Sequence, residues 1–209
     1  MLFRSRQHDD DSVCMECPNG TTTPSFGSFE CIKATEGEED DERAILTDFF
    51  LKMDGYSWAV QTNWLEPTMS VCEWYGITCI AYSKVSVSAI VLPRNSLNGT
   101  IPSTIYKLPN LNEINFSFNG IRIDFNNISH ARKLEYINID GTGLMELIGI
   151  EGANSTLKFL HIGENNFENT FPSEISKLYN LQSLYMSNNV QLPNGGRMRN
   201  CWEEESRKA

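Results

Sequence analysis

Six cysteines and three histidines carry most of the reactive side-chain chemistry in this chain of 209 residues. His8, Cys14, Cys17 and Cys31 cluster near the amino end. They supply the ligand types that zinc takes, but their spacing matches no finger arrangement. A C-x-x-C redox pair wants a strand running into a helix, and nothing around Cys14 and Cys17 reads that way. The stretch is too short to bury a core, so cross-links are the better use of its sulfurs. An odd number leaves one cysteine without a local partner, which is either Cys201 or a cysteine before residue 1. Cys72 and Cys79 form a second group. His8, His130 and His161 stand in no catalytic string, and no nucleophile-elbow, zinc-protease or phosphate-loop motif occurs. No metal, no cofactor and no enzymatic activity are expected.

Any other site must be carried by elements that recur every twenty-three or twenty-four residues. Val87, Leu111, Leu134, Leu157 and Leu181 share one column. Three places on come Ile90, Ile114, Ile137, Leu160 and Leu184; five places on come Leu92, Phe116, Ile139, Ile162 and Met186. Eight places on come Asn95, Asn119, Thr142, Asn165 and Asn189. This is L-x-x-L-x-L-x-x-N, the leucine-rich repeat, five times without a gap. Apolar residues two apart on a strand point inward together, and those between them face out. One strand per turn predicts an α/β repeat solenoid, right-handed, with a parallel sheet along one side. No single turn buries its own inner face, so stability comes from stacking and the open end needs a cap. An inward Asn amide bonds both N–H and C=O groups at a buried bend, so Asn95, Asn119, Asn165 and Asn189 should form a ladder. Thr142 reaches less far, and the third turn is expected to be looser.

Two turns carry more. Leu97-Asn98-Gly99-Thr100-Ile101-Pro102 and Phe167-Glu168-Asn169-Thr170-Phe171-Pro172 resemble the plant-specific class of leucine-rich repeat found in receptor-like kinases, receptor-like proteins and polygalacturonase inhibitors. The middle turns, at Ile121 to Phe125 and Leu144 to Ile148, lack both its Gly and its Pro. Upstream, Ala44, Ile45, Leu46, Phe49, Phe50 and Met53 recur at helical spacing, with acids before them and Gly55 just past the end. Trp58, Trp64 and Trp74 follow, and are read as core packing rather than a sugar-binding set. The string E-R-A-I-L…W…N-W-L…V-C-E-W-Y-G-I-T-C resembles the cap of plant-type extracellular leucine-rich repeat proteins, including those of diatoms and other algae. That resemblance runs from Glu42 to Pro193. It implies a cap closed by a Cys72–Cys79 disulfide and a receptor-like role outside the cell. C-P-N-G-T from Cys17 and G-S-F-E-C ending at Cys31 resemble a small cysteine-rich module of extracellular receptors.

The expected organisation is a disordered start (1–13), the cysteine-rich module (14–32), an acidic linker (33–41), the cap (42–84), the repeats (85–193) and an irregular tail (194–209) with no closing turn. Much of the net charge of −10 sits in the run Glu36 to Glu42, read as solvated linker. No basic stripe offers itself to phosphate, so nucleic acid is not an expected partner. Asn-x-Ser/Thr sequons agree with an oxidising exterior. Asn19, Asn98, Asn127 and Asn154 are glycosylation candidates, while Asn115 belongs to the column that faces the concave side. Met1 to Asp11 has no apolar signal-like stretch and no segment is long enough to span a bilayer. The chain is therefore read as part of a longer one, attached to a membrane only through segments outside it. An intracellular protein with reduced thiols is the alternative.

Strand alternation turns Tyr136, Phe159, His161 and Tyr185 onto the concave face, edged by Asp140 and Glu164, with Phe118 one turn earlier. Aromatic residues with a polar rim make up recognition surfaces. They also suit a pleated surface with no partner at all. The resemblance implies recognition of a protein, peptide or glycan ligand. A secreted wall or matrix protein without signalling, structural or inhibitory, is the rival, and an intracellular scaffold is another. The ligand and the oligomeric state stay open.

Overall fold

The computed structural model describes residues 21–22, 32–33, 36–80, 86–167 and 172–189. The readings at His8, Cys14, Cys17, Asn19, Cys31 and Cys201, and the segments 1–13 and 194–209, lie outside the described residues. In chain order, β1 (Thr21–Thr22) pairs antiparallel with β2 (Ile32–Lys33), and helix α1 (Glu36–Lys52) follows. Then come β3 (Ile77–Cys79), β4 (Val87–Val91), β5 (Asn98–Thr100), β6 (Glu113–Asn115), β7 (Gly120–Arg122), β8 (Tyr136–Asn138), β9 (Phe159–His161) and β10 (Ser183–Tyr185).

β4, β6, β8, β9 and β10 lie side by side in chain order as one parallel sheet, with β3 antiparallel on the outer edge of β4. Their register sets Ile90, Ile114, Ile137, Leu160 and Leu184 shoulder to shoulder. The first four of these are fully buried, and Leu184 is partly buried. Each turn returns along the back through a short 3-10 stretch that sends one isoleucine inward: Ile105, Ile128, Ile150 and Ile175. The repeat is a leucine-rich solenoid, with the sheet on one side and the 3-10 turns on the other.

β5 and β7 form a second, two-stranded parallel sheet on the flank. The second turn joins it without the Gly and Pro of the first, because alternation alone suffices: Ile121 is buried while Gly120 and Arg122 face out. The third turn does not continue it. Leu147 is fully buried there, but Met145 and Ile148 are 68% and 60% exposed.

The Asn ladder bonds across turns. Asn119 Oδ1 accepts from the N–H groups of Asn95 (2.9 Å) and Leu97 (3.0 Å) in the preceding turn. Its Nδ2 donates to Leu92 O (2.8 Å) and, in its own turn, to Phe116 O (2.9 Å). Asn165 repeats the pattern on Thr142 N, Leu144 N and Ile139 O. Thr142 is buried and satisfied, its hydroxyl donating to Ile139 O at 2.9 Å and lying 3.1 Å from Asn165 Oδ1. What it lacks is the bridge back to the second turn that an Asn makes. Thr142→Asn is expected to restore that bridge and add about 1 kcal/mol of stability, the net value of a hydrogen bond in a buried setting. Chemical denaturation of the two proteins checks this, and a lower midpoint for the variant would mean that the third turn is already closed by other bonds.

The cap corrects two readings. The acidic run from Glu36 is not linker: it forms the first turns of α1. Glu42, at the end of that run, is buried, and its carboxylate accepts the Val87 N–H at 2.7 Å. Ala44 does not face the core but is exposed. The buried stripe is Glu42, Leu46, Phe49, Phe50 and Met53, with a carboxylate as its first member.

The tryptophans are core. Trp58, Trp64 and Trp74 are 4%, 7% and 2% exposed, with successive ring centroids 5.0 Å and 4.8 Å apart. Trp58 Nε1 donates to Met53 O and Trp64 Nε1 to Tyr75 O. Phe49 stacks on Phe116 at 5.5 Å, so plug and repeats share one core. Cys72 and Cys79 are joined by a disulfide, with 5.6 Å between their Cα atoms. Replacing both by Ser is expected to lower stability by about 2–3 kcal/mol through the loop freed in the unfolded chain. A denaturation midpoint equal to that of the parent would show that the aromatic plug alone holds the cap.

Candidate functional site

The concave face is built from two outward rows. Ala89, Glu113, Tyr136, Phe159 and Ser183 are in register across the sheet, as are Val91, Asn115, Asn138, His161 and Tyr185. Adjacent strands bring the aromatic members into contact. Tyr136 lies 6.2 Å from Phe159 and 5.3 Å from His161, and His161 lies 5.6 Å from Tyr185, measured between ring centroids. The four rings form one continuous strip across three strands. Tyr136, Phe159 and His161 are half-buried, and Tyr185 is exposed.

Asp140 sits at the end of this strip. It is one place earlier in its turn than Phe118 and Glu164 are in theirs, sharing a column with Gly163. Its Oδ1 accepts the Gly163 N–H, and its Oδ2 is 3.9 Å from His161 Nδ1. Burial pushes the Asp140 carboxyl above the usual carboxylate range, and the charge of Glu164 acts in the same direction. The Gly163 bond and His161 pull it partly back. Glu164 is exposed beside it. On the sheet's near side, Lys158 and Glu135 pair at 2.7 Å and neutralise each other.

Phe118 does not join the strip. The Arg94 guanidinium lies over its ring at 3.8 Å, and Gly141, at a φ of +62°, also lies against the ring. A Cβ at Gly141 would come within 2.6 Å of that ring. Gly163 does the same for the strip: a Cβ there would lie 2.5 Å from the Tyr185 ring. Sequence reasoning passed over both glycines, and took Arg94 as an outward residue without its contact with Phe118. The signal was there, as each glycine follows a strand at the place where a ring from an adjoining turn must lie flat. Asn115 and Asn138 do more than line the outward row. Each also caps its own turn, Asn115 accepting from Ser117 N and Oγ and Asn138 from Asp140 N.

Of the sequons, Asn98 and Asn127 are exposed and Asn154 is half-buried, on the flank or back rather than the concave sheet. Asn115 stands in the concave row between Val91 and Asn138. Among the described residues, no group of three or more His, Cys, Asp or Glu side chains is placed to hold a metal ion.

Fold and face together define a leucine-rich repeat solenoid with a cysteine-closed cap, presenting an outward sheet. Residues 156–178 match the family model described as Leucine Rich Repeat. Receptor-like protein 31 of Arabidopsis thaliana is 32% identical over 96 residues, which cover 44% of this chain and 11% of that protein. The matched stretch thus spans about a tenth of that relative's length. Among solved structures, a plant ice-binding protein superposes with a TM-score of 0.60 at 19% identity, covering 72% of this chain and 48% of that one. The ectodomain of the Arabidopsis thaliana receptor kinase HAESA, solved with an IDA peptide hormone ligand, gives a TM-score of 0.54 at 19% identity, covering 75% of this chain and 30% of that one.

Proposed function

We propose that this chain is a non-enzymatic recognition module, the ligand-binding part of a receptor-like protein that works outside the cell. The observation that carries this reading is the continuous strip of Tyr136, Phe159, His161 and Tyr185 on the concave sheet. Three of these rings are half-buried and Tyr185 is exposed, beside the carboxylates of Asp140 and Glu164, and aromatic residues with a polar rim are the make-up of an interface centre. A receptor-like curated relative supports the class. The HAESA ectodomain, which shares the fold, is solved with a peptide hormone, and this supports a peptide or protein occupant. The Cys72–Cys79 disulfide supports an oxidising compartment. Among the described residues no helix is long and apolar enough to cross a membrane.

The test is selection of binders from a displayed random-peptide library on the oxidised protein. The same library is then offered to a variant with Tyr136, Phe159 and Tyr185 all changed to Ala. Binders that fail on the variant are expected; a set of binders indifferent to the change would remove the concave strip from the account.

A further inference from the structure

The sign of the charge around the strip narrows the kind of partner it fits. Glu113 lies in the same register row as Tyr136, while Asp140 and Glu164 edge the rings at the other end. Among the described residues of this face, Arg94 has its guanidinium spread over Phe118, two strands away from β9. Lys158 is paired with Glu135. The rings therefore look out beside carboxylates with no free cation among the described residues of the strip. Asp140 is the telling member. Its side chain is only 13% exposed, one oxygen is held by the Gly163 N–H, and the other faces His161 across 3.9 Å. Glu164 raises the cost of its charge further. A cation arriving between Asp140 and Glu164 relieves both carboxylates at once. Tyr136 and Tyr185 flank His161, with ring centroids 5.3 Å and 5.6 Å from it, and tyrosine π-clouds favour positive charge.

We infer that the strip takes a cationic side chain, Lys or Arg, from a peptide ligand, held by Asp140 and Glu164 and flanked by Tyr136, His161 and Tyr185. This deepens the concave-face reading and rests on it. Complementary charge steers encounter and excludes wrong partners, so acidic peptides are rejected by the same groups. Arg fits better than Lys, because a planar guanidinium both stacks on a ring and offers paired donors to a carboxylate.

The test has two arms, both on the full oxidised chain. In the first, Nα-acetyl-arginine amide and its neutral isostere Nα-acetyl-citrulline amide are titrated while the His161 ring resonances are followed by NMR. The arginine probe is expected to give a saturable shift at a concentration at least about tenfold lower than the citrulline probe. Asp140→Asn with Glu164→Gln should erase that difference, since an amide at 140 still accepts the Gly163 N–H and keeps the turn. Equal responses to the two probes, or an arginine response that survives the double change, overturn the inference. In the second arm, the peptides selected on the strip are sequenced. Enrichment of Lys or Arg in strip-dependent binders supports the inference. Strip-dependent binders without basic residues overturn it while the recognition reading stands, and binders that ignore the strip overturn both.

Discussion

Asn119→Ala is expected to cost about 3–5 kcal/mol, as two or more buried backbone groups lose their partner at roughly 1–3 kcal/mol each. The side chain accepts from Asn95 N and Leu97 N and donates to Leu92 O, Phe116 O and Ser117 O. Residue 119 is 5% exposed, so water does not replace these bonds without opening the bend between two turns. A loss of this size is a large share of the roughly 5–15 kcal/mol that holds an ordinary domain. Asn189→Ala is the internal control. Its bonds to Ile162 O and Met186 O lie in a partly buried turn, where solvent can take over. About 1 kcal/mol is expected there. Urea denaturation of both variants reads the difference. Similar small losses at both positions would mean that the turns are held by apolar stacking and that the ladder is incidental.

Changing Tyr136, Phe159 and Tyr185 together to Ala is expected to weaken a strip-selected peptide by about a hundredfold or more, since buried aromatic anchors are each worth 2 kcal/mol or more at an interface. The melting temperature should fall by no more than a few degrees. The reason lies in the alternation of the strands. These three residues stand on the outward rows, whereas Ile137, Leu160 and Leu184, their neighbours in sequence, fill the inside. Losing ring contacts about 5–6 Å apart on the surface forfeits only tenths to about 1 kcal/mol each. Isothermal titration and a thermal melt on the same preparation separate the two effects. A variant that binds as before, or one that unfolds, contradicts the division between an outward strip and an inward core.

The sequence displayed the coil because its inner columns are fixed by stacking: each position touches its equivalent one turn away, so only apolar residues fit. Ile90, Ile114, Ile137 and Leu160 could be set side by side from spacing alone. The same logic put Tyr136, Phe159, His161 and Tyr185 on one face. It did not say how the rings lie. That depends on what stands on the adjoining turn, and the deciding residues are Gly163 beneath Tyr185 and Gly141 beneath Phe118. Phe118 was grouped with the strip because the column count says nothing of Arg94, which holds its ring elsewhere. The acidic run from Glu36 misled for a related reason. Charge density reads as solvation, yet a helix accepts acids in its first turns, and Glu42 finds a buried N–H on the first strand. At Thr142 the weaker ladder residue was legible. Its satisfaction was not, since it combines a bond to Ile139 O in its own turn with one to Asn165 a full turn away.

That ligand meets the chain on the concave strip can be read from two proteins, one carrying a photo-crosslinking benzoyl group at Phe159 and the other at Ile148, exposed away from the strip before the 3-10 turn Ile150–Ala153. Each is irradiated with peptides selected on the parent protein. Crosslinks from position 159 and none above background from position 148 are the predicted result. Equal crosslinking at the two positions, or crosslinking from position 148 alone, would contradict it.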